Sequence, residues 1–390
     1  MSRTTAREAA GKPGRAGVLI LDNELGMGGL EKKLYDFITR VDSDRFSVVV
    51  CCLKEGGYFK DKLAALGVPF YERLLRHKFD LLAFRELSRI IAEEKIDLIY
   101  TFGHPNTVIF SYLAKARGLV RRVVVSFHAT GSPTGGRLLQ PYLRPFLKKV
   151  DVFLAVADTQ KRYLAEVERL PAERIEVIHN GVDTGKYHPA VPSEGGALRE
   201  SFGIGPSDTV MTTVASLKPA KRVDLLLRAV ARCIRANPGV RVLLVGDGPD
   251  RAELEQLARR IGMTERVVFA GIRDDVDDIL RMSDVLVLSS RVGTETFPNV
   301  VLEAMASGLP VVSTDVGSVR EMIDESCGLI VPPEDEDALA EAIGQLAADP
   351  EMRRRLGRRG REVVEERFTL EAMCAKRERL FERLLAVRGT

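Results

Sequence analysis

The sequence predicts two doubly wound α/β domains, and three observations lead to that fold class. The chain has 390 residues, which is more than one hydrophobic core usually serves. Short apolar, β-rich runs recur along it and alternate with helix-like segments, as in parallel sheets that are covered on both faces. The runs form two sets, separated by a polar stretch rich in Pro and Gly. Two Rossmann-like parallel-sheet domains that face a common cleft are therefore expected.

The first set of runs predicts an N-terminal domain over residues 17–185. Residues 1–16 precede it and are interpreted as a disordered basic tail rather than a signal peptide, because they contain no apolar segment. The runs of this set are GVLIL, SVVVCCL, DLIYTF, VVVSF, DVFLAV and IEVIHN.

The second set predicts a C-terminal domain over residues 206–368, after a linker at 186–205. Residues 369–390 are expected to form a helix that packs back on the N-terminal domain. In open α/β sheets ligands bind outside the carboxyl ends of the strands, so the loops after the runs should carry the chemistry. The runs of this set are TVMTTVA, VRVLLVG, RVVFAG, DVLVLSS, PVVST and GLIV.

Composition excludes several classes of protein. The 58 Lys and Arg residues against 55 Asp and Glu leave a net charge of +3, which gives no argument for nucleic acid as a partner. Five cysteines, an odd number without a CxxC pair, favour a reducing compartment over a disulfide framework. Since no apolar run approaches the ~18 residues that span a bilayer, a soluble cytoplasmic protein is expected. Contact with the inner face of the membrane is left open.

The stretch ETFPNVVLEAMASGLPVV places two glutamates around the start of a helix. Pro298 suits the first helical position, and Gly308 ends the helix. The N–H groups of such a helix N-terminus attract phosphate. Asn299 and Glu303 stand four residues apart and share a face, where a carboxylate can accept two hydrogen bonds from a ribose diol. Two ordinary surface glutamates are the alternative interpretation.

These residues resemble a known family. ETFPNVVLEAMASGLPVVSTDVGSVRE is similar to the signature of the retaining GT-B glycosyltransferases of group 1 (family 4), in which seven residues separate two glutamates. The resemblance extends over nearly the whole chain from about residue 17. Further segments stand in the family's order: GMGGLEKKLYDF, VIHNGVDTGKYHP, VASLKPAKRVDLLLRA and LLVGDGPDRAELE.

The resemblance implies a role for each site residue on the donor side. Glu303 would hold the ribose hydroxyls of a nucleotide sugar, Glu295 would contact the transferred sugar, and Lys221 would pair with the diphosphate. Pro298 would open the helix that faces the phosphate. The backbone N–H groups that would complete the phosphate cradle are those of Gly28, Gly29, Phe297, Asn299 and Val300.

Three further residues are assigned through the resemblance to the reacting centre and the acceptor. His128, in VVVSFHATG, matches the family's histidine beside the reacting sugar, although a lone histidine after a strand is more often structural. His128, Glu295 and Lys221 are thus the predicted catalytic residues. His104 and Asn106, in YTFGHPN, lie in the corresponding loop one strand earlier and are expected to face the acceptor.

One position departs from the family pattern. Many members carry an arginine where this chain has Ser216, and a serine cannot neutralise a phosphate. Lys218 is the expected substitute, but an ammonium group is a point charge without the bidentate fork of arginine. Both residues are counted with the predicted donor-binding set.

Two other kinds of site are rejected from the sequence. LLVGDGPDR lacks the third glycine of a dinucleotide-binding fingerprint and has Arg251 there, so NAD binding is not expected. The acidic stretch RDDVDD at 273–278 is interpreted as a helix-starting turn rather than a metal site. No metal and no cofactor are predicted beyond a nucleotide-diphosphate sugar as co-substrate, with a UDP-sugar favoured.

Metal-independent transfer is predicted, because a helix N-terminus and a lysine can stabilise the charge that develops on the leaving phosphate. The resemblance implies retention, with transfer to a saccharide or lipid-linked acceptor in bacterial surface polysaccharide or glycolipid synthesis. A GT-B sugar-nucleotide epimerase and a weakly catalytic sugar-nucleotide-binding protein remain alternatives. The segment RLLQPYLRPFLKKVD is interpreted as a core helix, with peripheral membrane contact as the second hypothesis. The charged C-terminal helices have no interleaved aromatic residues, so nucleic acid is not an expected partner.

Overall fold

The computed structural model describes residues 14–26, 28–76, 80–130, 137–191 and 195–386. The described chain forms two compact units. The first comprises the chain up to His179 together with the segment from Glu371 onward, and the second comprises Asn180–Leu370.

The first unit is built on a seven-stranded sheet in which all neighbouring strands are parallel. The spatial order is β3-β2-β1-β4-β5-β6-β7, so the direction of winding reverses between β1 and β4. Among the strands of the described residues, sequence patterns missed only the two-residue β3. The strands are β1 (Ala16–Asp22), β2 (Phe46–Cys52), β3 (Phe70–Tyr71), β4 (Ile96–Phe102), β5 (Arg122–Ser126), β6 (Val152–Ala155) and β7 (Ile175–Val177).

Helices connect these strands and cover the sheet. Central strand residues such as Val18, Ile20 and Leu98 have no exposed surface, as expected for parallel strands buried on both faces. The helices are α1 (Gly29–Ile38), α2 (Lys60–Ala65), α3 (Leu81–Glu93), α4 (Pro105–Ala116), α5 (Arg144–Leu147) and α6 (Asp158–Glu166), with 3₁₀ turns at Pro141–Leu143 and Ala172–Arg174.

The second unit has a six-stranded parallel sheet in the order β10-β9-β8-β11-β12-β13. Its winding reverses between β8 and β11, and all six strands lie in the runs predicted from the sequence. The strands are β8 (Thr209–Val214), β9 (Val240–Val245), β10 (Val267–Gly271), β11 (Val285–Leu288), β12 (Val311–Thr314) and β13 (Gly328–Val331).

Helices again alternate with the strands of the second unit. Its core includes α8, whose residues Leu226, Leu227 and Val230 have no exposed surface. The helices are α7 (Gly196–Ser201), α8 (Val223–Cys233), α9 (Arg251–Arg260), α10 (Val276–Met282), α11 (Asn299–Ala306), α12 (Val319–Met322), α13 (Glu336–Ala348) and α14 (Pro350–Arg367), with 3₁₀ turns at Pro219–Lys221 and Thr264–Arg266. Two doubly wound parallel-sheet units confirm the predicted fold class.

The last helix, α15 (Leu370–Ala386), packs its apolar face on the first unit. Phe381 is fully buried, with its ring centroid 5.7 Å from that of Tyr100 and 6.0 Å from that of Phe37. Arg45 Nη1 lies 3.0 Å from Glu378 Oε2 at the edge of this contact. Residues from opposite ends of the chain therefore share one core.

Several of the expected domain limits fall at or near residues that the structure does not describe. Residues 1–13 of the expected tail lie outside the described residues, and β1 begins at Ala16. The stretch at 186–205 includes α7, while 192–194 lie outside the described residues. Of the expected C-terminal helix, 387–390 are also outside them. The chain passes from the first unit to the second between His179 and Asn180.

The segment interpreted as a core helix packs most of its apolar side chains inward. Leu139, Leu143 and Leu147 are buried in the first unit, whereas Tyr142 is 57% exposed. This packing agrees with the core interpretation, and membrane contact stays a prediction. Among the helices of the described residues, none combines the length and apolarity needed to cross a membrane.

Candidate active site

In the second unit, the predicted donor-binding residues follow β8 and β11, the neighbouring strands at which its sheet reverses its winding. Ser216 and Lys218 follow β8 directly and are exposed. Lys221 ends the 3₁₀ turn that comes next and is half-buried. The reversal point of an open α/β sheet is where ligands bind, because the flanking loops part there.

A buried carboxylate and a lysine meet at this point. Glu295 has 8% of its surface exposed. Its Oε1 lies 2.5 Å from Nζ of Lys221 and accepts a second hydrogen bond from Ser290 Oγ at 2.7 Å. Two donors on one oxygen thus hold this carboxylate in a fixed orientation. The structure thus brings two of the three predicted catalytic residues together.

Helix α11 starts beside this pair. Its first residue is Asn299, and Pro298 is the capping residue with extended backbone, so Pro298 stands one position earlier than expected. A proline at the cap still leaves the N–H groups of Asn299 and Val300 at the helix N-terminus. The ring of the preceding Phe297 is buried edge-on against Phe368, with ring centroids 5.8 Å apart.

Glu303 lies one turn into α11 and is buried, with 6% of its surface exposed. Asn299 stands four residues before it on the same face and is half-buried. The helix ends where the glycine predicts, because Gly308 adopts a left-handed φ of +74° and Leu309 N–H donates to Ala304 O at 2.9 Å. A short helix thus begins and ends at fixed positions, and its buried carboxylate has a defined place.

Asn180 contacts the start of α11 and was missed by sequence reasoning. Its Nδ2 donates to Oδ1 of Asn299 at 3.0 Å. Within the described part of the chain, its own Oδ1 is buried and meets no hydrogen-bond donor. A buried polar atom without a partner is rare in folded proteins and marks a place where a ligand or water is expected. Asn180 begins the Asn-Gly-Val-Asp segment, which was noted for its resemblance to the family and not as a contact of the site.

The loop after β12 supports the backbone of the Glu295 loop. Gly317 has a φ of +58°, and a Cβ atom there would lie 2.6 Å from the carbonyl oxygen of Glu295. Ser318 N–H donates to Thr296 O at 2.9 Å. Only glycine allows this approach, so the Gly-x-x-x-Glu segment has a structural role beside the site.

The Gly-Asp-Gly turn after β9 is explained by packing. Gly246 has a φ of +125°, and a Cβ atom on Gly248 would lie 2.2 Å from the carbonyl oxygen of Leu217. Leu217 N–H in turn donates to Asp247 O at 3.0 Å. The two glycines let this turn approach the loop after β8. This close packing accounts for both glycines.

The acidic stretch at 273–278 pairs with basic side chains. Arg273 Nε donates to Asp275 Oδ1 at 2.8 Å, and the guanidinium group holds the pKa of Asp275 below its usual value. Asp277 and Asp278 lie in the first turn of α10, and both contact Arg281. The stretch is therefore a paired helix start, as its sequence interpretation proposed.

In the first unit, Gly28 and Gly29 stand at the N-terminus of α1, in the turn that follows β1. Gly28 is the capping residue, and its carbonyl oxygen accepts from Lys32 N–H at 3.0 Å. Both glycines are exposed. Glu31 lies in the first turn, close enough that a Cβ atom on Gly28 would lie 2.3 Å from its Oε2. The carboxylate of Glu31 therefore lies close to the backbone at the start of α1.

His128 follows β5 and is half-buried. Its Nε2 lies 2.9 Å from Ser126 Oγ, and its ring centroid is 5.7 Å from that of Phe102. Burial lowers the pKa of His128 to about 3, and the positive charge of Arg377 adds to that effect. The imidazole is therefore neutral at physiological pH and acts through hydrogen bonds rather than through charge.

His104 caps α4 after β4, and half of its side chain is exposed. Burial lowers the pKa of His104, and the charge of Lys54 lowers it further. Its Nε2 lies 3.6 Å from Oδ1 of Asp22 at the end of β1, across the reversal point of the first sheet. Asn106 is half-buried in the first turn of the same helix. The structure thus groups His104 with a residue that sequence reasoning had not selected.

Asp22 is that unselected residue. Only 2% of its surface is exposed, and burial raises the pKa of Asp22 to about 7, with the charges of Glu31 and Glu24 adding to the effect. Its Oδ1 accepts from Asn23 N–H at 2.6 Å. An acidic residue at the end of the GVLILD run was a visible signal, since carboxyl ends of parallel strands carry functional side chains.

Two family models match this chain. The model described as Glycosyl transferases group 1 matches residues 196–363. The model described as Glycosyltransferase Family 4 matches residues 27–186. Each model thus covers most of one unit.

Individual proteins are similar over most of their length. Phosphatidyl-myo-inositol mannosyltransferase of Mycolicibacterium smegmatis is 30% identical over 322 residues, which are 82% of this chain and 79% of that protein. N-acetyl-alpha-D-glucosaminyl L-malate synthase of Bacillus anthracis is 29% identical over 307 residues, 78% of this chain and 79% of that protein.

The fold is similar to that of Anabaena HepE, solved in complex with UDP-glucose. The TM-score is 0.80 at 25% identity, and the match covers 94% of this chain and 99% of HepE. With two parallel α/β units, the fold is of the GT-B class. The chain belongs to the group 1 glycosyltransferases. It is a glycosyltransferase, as the resemblance of its motifs predicted.

Proposed function

We propose that this enzyme moves a sugar from a nucleotide-diphosphate sugar, a UDP-sugar, to a saccharide or lipid-linked acceptor, with retention at the anomeric carbon and without a metal ion. The observation that carries the proposal is the Lys221–Glu295 pair: Nζ and Oε1 lie 2.5 Å apart and join the turn before α8 to the loop before α11. It combines a cation for phosphate with a carboxylate for sugar hydroxyls. The UDP-glucose bound to HepE supports the choice of UDP.

The donor would be held by the second unit. Lys221 pairs with the diphosphate, and Lys218 provides the second charge that Ser216 cannot. The N–H groups of Asn299 and Val300 also donate to phosphate oxygens, because they lie at the N-terminus of α11. The fixed donors are preorganised for the charge that develops on the leaving group.

The nucleoside and the sugar are assigned to the two glutamates. Buried Glu303 accepts hydrogen bonds from the ribose diol, and Asn299 lies on the same face of the helix. Glu295 accepts from hydroxyls of the transferred sugar while Ser290 keeps its carboxylate oriented. Neither glutamate forms a bond to the sugar in this scheme.

In the transfer step, the bond between the anomeric carbon and the phosphate oxygen breaks, and a bond to the acceptor oxygen forms on the same face. The proton of the acceptor hydroxyl passes to the departing phosphate oxygen, so charge and atoms balance. His128, neutral at physiological pH, hydrogen-bonds the reacting sugar. His104 and Asn106 bind the acceptor from the loop after β4.

The acceptor class is supported by the relatives. One is named as a mannosyltransferase acting on phosphatidyl-myo-inositol and another as a synthase that joins a glucosaminyl group to malate. Both names describe the joining of a sugar to a second molecule, which supports a transferase over an epimerase. We therefore assign a lipid-linked or saccharide acceptor of surface polysaccharide or glycolipid synthesis, with the transfer taking place at the inner face of the membrane.

Isothermal titration calorimetry with UDP, GDP and ADP, each with and without EDTA, tests the donor side. We expect saturable binding of UDP that EDTA leaves unchanged. Binding that disappears with EDTA would contradict metal independence. Binding of GDP alone would replace the UDP assignment, and binding of none of them would contradict the proposed function.

The Glu303→Ala variant tests the ribose assignment. Loss of hydrogen bonds to a charged group, worth roughly 1.5–3 kcal/mol each, should weaken UDP binding by at least tenfold. Glu341→Ala, which removes an exposed helical glutamate from α13, is the matched control. Unchanged affinity in Glu303→Ala would contradict the ribose role of this residue.

A further inference from the structure

Two residues beside the candidate donor site have left-handed backbone although neither is glycine. Arg222 stands at the start of α8 with a φ of 48°, and Glu334 stands in the loop after β13 with a φ of 63°. The Cβ atom of an L-residue crowds the backbone in this region. Such conformations persist where surrounding contacts hold them, and they cluster at functional sites.

An ion pair joins these two residues. Nη1 of Arg222 contacts Oε2 of Glu334. Nε and Nη2 of Arg222 donate to the two carboxylate oxygens of Asp224 at 3.0 and 3.2 Å. Arg291 Nε lies 3.2 Å from the other oxygen of Glu334. Two guanidinium groups and two carboxylates thus form one network, which joins the start of α8 to the loops after β11 and β13.

The network is electrostatically balanced. Burial raises the pKa of Asp224, but the hydrogen bonds and charge of Arg222 outweigh burial and hold that pKa below its usual value. The side chain of Arg222 is itself only 16% exposed. Its guanidinium group therefore bonds to carboxylates on two sides. Bidentate pairing of this kind holds the group in one orientation as well as neutralising its charge.

The strained residue directly follows Lys221. The carbonyl oxygen of Lys221 accepts from Ser289 Oγ at 2.9 Å, and that of Ala220 accepts from Arg291 N–H at 2.8 Å. The backbone of Lys221 is thus tied on one side to the loop after β11 and on the other side to Arg222. A change of φ at position 222 would rotate the chain at the end of this short turn.

We infer that Arg222 is a positioning residue for the donor site: its ion pairs with Glu334 and Asp224 hold the left-handed backbone that aims Lys221 at Glu295. This inference rests on the proposed function, because it concerns the lysine assigned to the diphosphate. Arg222 acts through the backbone of its neighbour and does not contact the donor.

A direct role in phosphate binding is the competing explanation for an arginine at this place. It requires guanidinium donors that point to the ligand. Nε, Nη1 and Nη2 of Arg222 all face the carboxylates of Asp224 and Glu334. A phosphate would have to break pairs that are already formed, so the backbone role explains the geometry better.

Two substitutions at one position separate these roles. Arg222→Gly and Arg222→Ala both remove the guanidinium group, but only glycine adopts the left-handed region without a steric cost. UDP and GDP are titrated by calorimetry against wild type and both variants. We expect Arg222→Ala to weaken nucleotide binding about five- to tenfold, which corresponds to the cost of that region for an L-residue. Arg222→Gly should stay within about twofold of wild type.

A double variant adds a second test. Glu334→Gln should weaken binding in the wild-type background, because one pair that holds the backbone is lost. The same substitution in the Arg222→Gly background should leave nucleotide binding unchanged, since glycine adopts the left-handed backbone without an ion pair to stabilise it. Equal losses in the Gly and Ala variants would show a charge role and overturn the inference. Full binding in both would overturn it as well.

The ion pair between Lys221 and Glu295 gives a readout that needs no nucleotide. In protein labelled with 15N-lysine, NMR follows the ammonium group of Lys221, whose protons exchange more slowly with water while Nζ is bonded to Glu295. We expect the wild-type signal in Arg222→Gly and its loss through faster exchange in Arg222→Ala. If wild type binds no nucleotide but this pattern holds, the proposed function fails and the positioning role stands. The same signal in both variants would overturn the positioning role.

Discussion

Nζ of Lys221 lies 2.5 Å from Oε1 of Glu295, although 74 residues separate the two in the chain. They come from loops after β8 and β11, which are neighbours because the sheet reverses its winding there. Glu295 therefore fixes the ammonium group at the reversal point. A diphosphate that binds here competes with Glu295 for the same lysine.

This competition predicts different effects for the two partners. Lys221→Met should weaken the binding of UDP by about 10- to 100-fold, because a charge-assisted hydrogen bond contributes roughly 1.5–3 kcal/mol. Glu295→Gln should leave that affinity equal or higher, since the ammonium group is released, while sugar transfer falls. Calorimetry with UDP measures the first effect and an acceptor assay the second. Wild-type affinity in Lys221→Met would contradict its contact with the diphosphate.

Asp22 predicts a dependence of stability on pH. The pKa of Asp22 is raised to about 7 in the folded chain from 3.8, mainly by burial. Between these values the folded state binds more proton than the unfolded state. The free energy of unfolding of wild type should therefore fall as pH rises from about 4 to 7, by at most about 1.4 kcal/mol per pH unit.

Asp22→Asn removes this dependence and keeps an oxygen that accepts from Asn23. The variant should be more stable than wild type at pH 8, with the difference shrinking toward pH 5, as measured by urea unfolding of the first unit. Asp61→Asn changes an exposed aspartate in α2 and is the control. A pH-independent difference between Asp22→Asn and wild type would show that the carboxyl group is ionised throughout.

The lowered pKa of His128 has the opposite effect on stability: at acid pH it makes the free energy of unfolding rise with pH. Its pKa is lowered to about 3 from 6.5, by burial and by the charge of Arg377. Below pH 6.5 His128 binds a proton in the unfolded chain but not in the folded chain. The contribution of the neutral ring to the free energy of unfolding is therefore lost as pH falls toward 3. Nitrogen NMR of the imidazole should find a neutral ring at pH 5. In Arg377→Met the ring should titrate at higher pH, and an unchanged titration would contradict the influence of Arg377.

The sequence predicted the strands well because parallel strands buried on both faces need continuous apolar runs. Twelve runs correspond to twelve strands, and only β3, with two residues, gave no pattern of its own. The start of α11 was displaced by one residue, since Pro298 satisfies the geometry of a cap as readily as that of a first helical position.

The contacts of the candidate site were less accessible to sequence reasoning. Glu295 was assigned by its motif, but its partners Lys221 and Ser290 depend on which strands become neighbours. Asp22 was overlooked because a single carboxylate after a strand is common, and only its burial and the approach of His104 distinguish it. Arg222 gave no signal, since a residue name does not reveal a positive φ.

The contact of α15 with the first unit gives a final prediction, on stability. Phe381 is fully buried and its ring lies within 6.1 Å of those of Phe37, Phe46 and Tyr100. Truncation of a buried phenylalanine leaves a cavity and costs about 3–5 kcal/mol. Phe381→Ala should therefore lower the free energy of unfolding of the first unit by that amount, measured by urea denaturation.

The control for this prediction lies on the next residue of the same helix. Glu382 is exposed and pairs with Arg45 at the surface, where ion pairs contribute little. Glu382→Ala should leave the urea midpoint nearly unchanged, although it alters the same helix. Equal midpoints for Phe381→Ala and Glu382→Ala would mean that α15 is not part of the first unit's cooperative core. A large shift of the urea midpoint in Phe381→Ala alone would show that α15 belongs to the cooperative core of the first unit.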